Sequence, residues 1–129
     1  MPYWIPAEAL LAMHQELMAE HGGAVGSVDK ALFESTLARP QQHAAYTDPE
    51  PDTFTLAAAY GFGFAKNHCF TDGNKRIALA AIDVFLIMNG HELIASEPEA
   101  VTVIHGLAMG SVDERQLTEW IRQNSRPIT

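Results

Sequence analysis

The stretch His68-Cys69-Phe70-Thr71-Asp72-Gly73-Asn74-Lys75-Arg76 is followed at once by Ile77-Ala78-Leu79-Ala80-Ala81-Ile82-Asp83-Val84-Phe85-Leu86-Ile87-Met88. The second part is apolar on every side except Asp83, so it reads as a buried helix and as the central helix of the domain. Asn89-Gly90 supplies its stop signal. The first part packs a histidine, a carboxylate, a glycine-led turn and two cations onto one short loop. A helix N-terminus offers unpaired N–H groups and a partial positive charge, which suits a phosphate. His68 is the residue type that moves protons near neutral pH. Asp72 can hold a divalent cation against a nucleotide, because Mg²⁺ takes one or two carboxylates and leaves the rest to phosphate and water.

Working outward, start and stop signals place seven helical segments. The first runs from about Pro6 to about His21, ended by Gly22-Gly23. The second follows Ser27 as cap, carries Leu32, Phe33, Thr36 and Leu37, and is stopped by Pro40. Gln41 to Tyr46 reads as a short third helix, and the acidic, proline-bearing Asp48 to Asp52 as a loop. The fourth starts near Thr53 and runs to about Asn67. Its Gly61 and Gly63 weaken it by roughly 1 kcal/mol each, so a neighbouring backbone is expected to come close there. A strand over Tyr60 to Phe64 is the alternative, but the alanine run before it favours helix. The fifth begins at Asn74. His91 to Ala95 is an extended link able to pair as an edge strand. The sixth is capped by Ser96 with Glu99, the seventh by Ser111 with Glu114. The expected fold is all-α: one domain spanning 1–129, a compact bundle of six or seven helices around one buried helix.

The bulk numbers agree with one soluble domain. The chain has 129 residues, 47% of them apolar, and a formal charge of −8. That charge argues against a phosphate-tracking nucleic-acid binder, so no direct nucleic-acid partner is expected. The single cysteine, Cys69, excludes an internal disulfide and speaks against a cysteine-built zinc site. The longest apolar run is too short to cross a bilayer, and the N-terminus lacks a signal core; the expectation is a cytoplasmic protein without a membrane partner. His14, His21, His43, His91 and His105 show no metal-ligand spacing and read as structural or solvent-facing. Cys69 reads as a passive small residue, Tyr60, Phe62 and Phe64 as core, and Asp83 as a buried carboxylate in need of a partner.

The nonapeptide resembles the signature of the Fic/Doc superfamily: His, any residue, Phe, any residue, Asp or Glu, Gly, Asn, a variable residue, Arg. Lys75 at the variable place resembles the Doc branch, the death-on-curing toxins. Chain length, the Gly22-Gly23 break and the Asn89-Gly90 stop are similar to the Doc layout as well. The resemblance implies that His68 is the general base for a target hydroxyl and that Phe70 pins the loop. It implies that Asp72 is the ligand of Mg²⁺, and that Thr71, Gly73, Asn74, Lys75 and Arg76 cradle the phosphates of ATP. It further implies a toxin that phosphorylates elongation factor Tu and is neutralised by a Phd-like antitoxin.

Two positions depart from the AMP-transferring branch of that superfamily. Lys75 replaces a glycine, and Leu79 stands where a second arginine is expected. Loss of that arginine removes a bidentate phosphate clamp. Both changes favour transfer of the terminal phosphate. An AMP transferase and a non-catalytic nucleotide-binding module stay open as alternatives at this point.

Overall fold

The computed structural model describes residues 2–24 and 26–128. Six helices and two short strands follow one another: α1 (Ala7–His21), α2 (Lys30–Tyr46), α3 (Thr53–Asn67), α4 (Asn74–Met88), β1 (His91–Leu93), α5 (Glu97–Met109), α6 (Glu114–Gln123) and β2 (Ser125–Pro127). The all-α class and the helix count agree with expectation. The extended link after α4 does pair, antiparallel with β2, in the register His91 to Pro127 and Leu93 to Ser125.

Four local readings need correction. The expected second and third helices are one helix, α2, with Pro40 inside it. Proline costs one backbone bond and a steric clash, but Pro40 is buried in a helix that packs along α3, and that tertiary packing carries the backbone through. The cap of α2 is Asp29, whose side chain accepts from Leu32 N–H at 3.1 Å; the helix starts at Lys30, and the Ser27 backbone pairs with Thr71 ahead of it. The cap of α6 is Asp113 in a reciprocal box with Gln116, at 2.7 and 2.9 Å. Ser111 instead donates to Gly106 O. At α5 the Ser96 hydroxyl accepts from Glu99 N–H at 3.3 Å, as expected.

The fourth correction concerns which helix is central. It is α3, whose Leu56 through Gly61 are buried without interruption, as are Gly63, Phe64 and Ala65. It packs against α2, α4, α5 and α6. Helix α4 buries one face only, with Ile77, Ala78, Ala81, Ile82, Phe85 and Leu86. Of its other apolar residues, Leu79 and Ala80 form part of a cleft wall, and Ile87 is exposed. An apolar helix surface facing a cleft has the same composition as one facing a core, which is why composition alone misplaced the centre. The glycines of α3 explain how it can be so enclosed. A Cβ on Gly61 would collide with Ile82 Cδ1, and one on Gly63 would lie 2.8 Å from Thr36 Cγ2. The close approach is by side chains of α4 and α2, where a backbone was expected.

Around α3 the aromatic core is continuous. Tyr60 and Phe85 rings lie 5.1 Å apart and Phe33 and Phe64 rings 6.1 Å apart. Tyr60 Oη accepts from Ile5 N–H at 3.3 Å, tying the N-terminal segment to the core. Phe64 is fully buried while Tyr46 is 87% exposed. Phe64→Ala should therefore cost about 3–5 kcal/mol in denaturant unfolding, and Tyr46→Ala should stay within about 0.5 kcal/mol of the parent.

Candidate functional site

The loop between α3 and α4 reverses the chain with two left-handed residues. Gly73 (φ 80) precedes α4, and His68 (φ 50) ends α3. Among the described residues His68 is the one non-glycine with positive φ. Such a conformation costs a side-chain-bearing residue roughly 1–2 kcal/mol and marks functional positions. Its neighbours hold it there. Asn67 donates to Thr36 Oγ1 at 2.8 Å, and buried Cys69 lies 3.4 Å from the same oxygen. The His68 side chain is exposed at the rim of a cleft of about 1160 Å³.

The rest of the loop is locked from three sides. Asn74 reaches back to Phe70 and pairs with it twice: its Nδ2 donates to Phe70 O at 3.0 Å, and its Oδ1 accepts from Phe70 N–H at 3.1 Å. The Phe70 ring is buried, stacked on His14 with centroids 3.8 Å apart and set edge-on to Phe33. On the outer side, Gly26 to Asp29 runs antiparallel to the motif. Asp29 N–H donates to Cys69 O at 2.7 Å, and Ser27 exchanges three bonds with Thr71. The Thr71 hydroxyl is thus engaged by Ser27 backbone, and the Asn74 amide by Phe70 backbone. Both residues belong to the cleft wall, but as braces; their side-chain polar atoms face the protein. What remains for an anion is the backbone: among the described residues nothing accepts from the N–H groups of Asn74, Lys75 or Arg76. The sites assigned to Gly73, Lys75 and Arg76 fall together at that helix tip, with Asp72 beside them.

Electrostatics sharpen the spot. Arg39, Arg122 and Arg126 are paired with Glu114, with Asp52 and Glu119, and with Glu92. Lys66, Lys75 and Arg76 have no such partner among the described residues, and all three are exposed around the motif. Lys30 and Arg115 are also exposed without such a partner among the described residues, so the motif and its flank hold three of five unpaired cations, a local gathering of positive charge on an acidic protein. Beyond the motif the cleft continues along Leu79, Ala80 and Asp83 of α4 and Ala100, Val101, Ile104 and His105 of α5. The described residues hold no cluster of three or more metal-ligating side chains. A lone Asp72 fits Mg²⁺ carried mostly by phosphate and water, and fits a structural metal poorly.

Burial shifts two titrating groups of the motif and cleft, Cys69 and Asp83. Burial pushes the Cys69 thiol up, with a smaller opposing contribution from its Thr36 contact. A neutral, buried thiol is inert, so iodoacetamide should leave Cys69 unmodified in the folded protein and react after denaturation, read by intact mass. Burial also raises the carboxyl of Asp83, for which no arginine or helix-end partner appears among the described residues. The partner expected from sequence is absent there, and open cleft takes its place. A raised folded-state pKa means that the native protein takes up the proton before the unfolded chain does, so stability rises as pH falls through that range. Asp83→Asn should stabilise the protein at neutral pH and flatten this dependence, measured by thermal melts between pH 4 and 8.

One residue of the site was not found from sequence: His14 on α1, 2% exposed, whose Nε2 lies 2.7 Å from Asp72 O. From sequence it read only as structural or solvent-facing, since the loop it meets lies 58 residues away.

Residues 4–86 match the model of the Fic/DOC family. The chain is 32% identical over 119 residues to "Protein kinase doc" of Escherichia phage P1, covering 92% of this chain and 93% of that protein. It is 40% identical over 74 residues to "Toxin Doc" of Mycolicibacterium smegmatis, covering 57% of each. The chain belongs to the Fic/DOC family, on its Doc side.

Proposed function

We propose that this Doc-type member of the Fic/DOC family is the toxin of a toxin–antitoxin pair. In this reading it transfers the terminal phosphate of ATP to a Ser or Thr hydroxyl of a translation factor, elongation factor Tu, and so stops translation. The observation that carries the reading is the juxtaposition at the loop: an exposed imidazole held in a costly left-handed turn, five residues before a helix tip with free N–H groups and two unpaired cations. The names of the two relatives, a protein kinase and a toxin, support the same direction.

In physical terms phosphoryl transfer demands positioning and charge stabilisation more than covalent help. The first-turn amides of α4 and the Lys75 and Arg76 side chains would hold phosphate oxygens. Gly73 is required at the tip by its positive φ and by packing, since a Cβ there would meet Met18 and His14. His68 takes the proton of the target hydroxyl as its oxygen bonds to the γ-phosphorus and the bond to ADP breaks. Asp72 would hold Mg²⁺, which supplies neutralisation of phosphate charge when bound. Leu79 in the cleft wall, in place of a second arginine, favours terminal phosphate over AMP as the group moved.

The partner in this reading is a Phd-like antitoxin protein, and exposed Lys66 offers it a positive contact beside the motif. A cytoplasmic place of action goes with the target; no helix among the described residues is long and apolar enough to cross a membrane.

Incubation with γ-labelled or α-labelled ATP in a translating extract tests the chemistry. Label should reach a protein from the γ-position only; transfer from the α-position would replace this reading with AMP transfer. His68→Ala should lower the transfer rate roughly 10²- to 10⁴-fold with the fold retained. It should also end growth arrest in cells expressing the variant. Asp72→Ala should weaken binding of Mg-ATP in calorimetry.

A further inference from the structure

We propose that His14 is a positioning residue of the site: from the first helix it fixes the Asp72 peptide and thereby the carboxylate that would hold Mg²⁺. This rests on the reading of Asp72 as the Mg²⁺ ligand given above. His14 and Thr36 are the two buried polar side chains in an otherwise apolar core, among the described residues. Thr36 serves Asn67 and Cys69 at one end of the loop. His14 serves the other end.

The carbonyl of Asp72 can only accept, so the His14 nitrogen at 2.7 Å carries the proton; the network fixes the Nε2–H tautomer. That bond sets the plane of the Asp72–Gly73 peptide. The same peptide's N–H, on Gly73, donates to Asp72 Oδ1 at 2.8 Å. The orientation of the peptide therefore orients the carboxylate, and Oδ2 is the oxygen left without a protein partner among the described residues. The ring of His14 also stacks on Phe70, so one side chain holds the residue two before Asp72 and Asp72 itself. The same helix closes the arrangement. Met18, one turn on, covers Gly73, and Gly23 beyond the helix end lies so close that a Cβ there would sit 2.9 Å from Asp72 Oδ2. A partner in the outer shell of a metal ligand, removed, costs a site roughly 10- to 100-fold in metal affinity.

Four proteins test this: the parent, His14→Phe, His14→Gln and His14→Asn. Phe keeps the stack and loses the donor; Gln places an amide N–H near the Nε2 position; Asn is too short to reach. ATP binding is titrated with Mg²⁺, and amide hydrogen exchange of residues 70–73 is followed without nucleotide. The expected result is a Mg²⁺ midpoint raised about 10- to 100-fold in Phe and Asn, with Gln close to the parent, and faster exchange at Phe70 and Thr71 in the same two variants. A residue that merely fills the core would lower the melting temperature and leave the Mg²⁺ midpoint of the folded protein in place; that result overturns the proposal. If His14→Phe does not fold, equal midpoints for Asn and Gln overturn it. A parent protein whose ATP binding ignores Mg²⁺ would sink the reading of Asp72 and this inference with it. Altered exchange in the Phe and Asn variants would still locate that failure in the metal and leave the His14 bond standing.

Discussion

The double pairing between the Asn74 side chain and the Phe70 backbone fixes the geometry on which the site depends. It closes a five-residue turn whose members cannot bond one another as a helix would. Once Phe70 is tied to the first residue of α4, the residues between them, Thr71, Asp72 and Gly73, have little freedom left. Ser27 takes the first, His14 the second, and Met18 covers the third. Two of these contacts come from α1 and one from the segment that follows it, so the loop is held by the N-terminal part of the fold. Rigid support of this kind is what phosphoryl transfer needs, because the protein contributes mainly by placing charge.

Charge is placed with similar economy. The chain carries a net −8, yet three of its arginines are used in surface pairs. Such exposed pairs add little stability. They cancel positive charge away from the cleft, so that of the five cations left without a carboxylate partner among the described residues three, Lys66, Lys75 and Arg76, stand beside the motif, the other two being Lys30 and Arg115.

Much of this was legible in the sequence. The helix boundaries at Gly22, Asn67, Asn74 and Asn89 followed from caps and turn residues, and the motif residues proved to share one cleft with His68 at its rim. What escaped had common physical roots. Pro40 reads as a stop because local propensity knows nothing of the α3 surface that holds the helix on both sides of it. Helix α4 reads as central because an apolar residue carries no mark that distinguishes a core neighbour from a cleft. Asp29 and Asp113 took the capping roles assigned to Ser27 and Ser111: of two candidates two residues apart, the Ser27 backbone pairs with Thr71 and the Ser111 hydroxyl bonds the end of the preceding helix at Gly106 O. His14 was invisible for a different reason: its meaning lies in a contact with a carbonyl, which any residue could have provided.

Tyr3 and Ile128, near the two limits of the described residues, are fastened at the same turn. Tyr3 exchanges two backbone bonds with the Asn89 amide, and Ile128 N–H donates to Gly90 O. That turn stands at the far end of a fifteen-residue helix from Gly73, a separation of about 22 Å at 1.5 Å per residue. Purification handles or fluorescent domains fused at either terminus would hence emerge on the side of the molecule remote from the histidine loop. The architecture lends itself to immobilisation with the reactive face left clear.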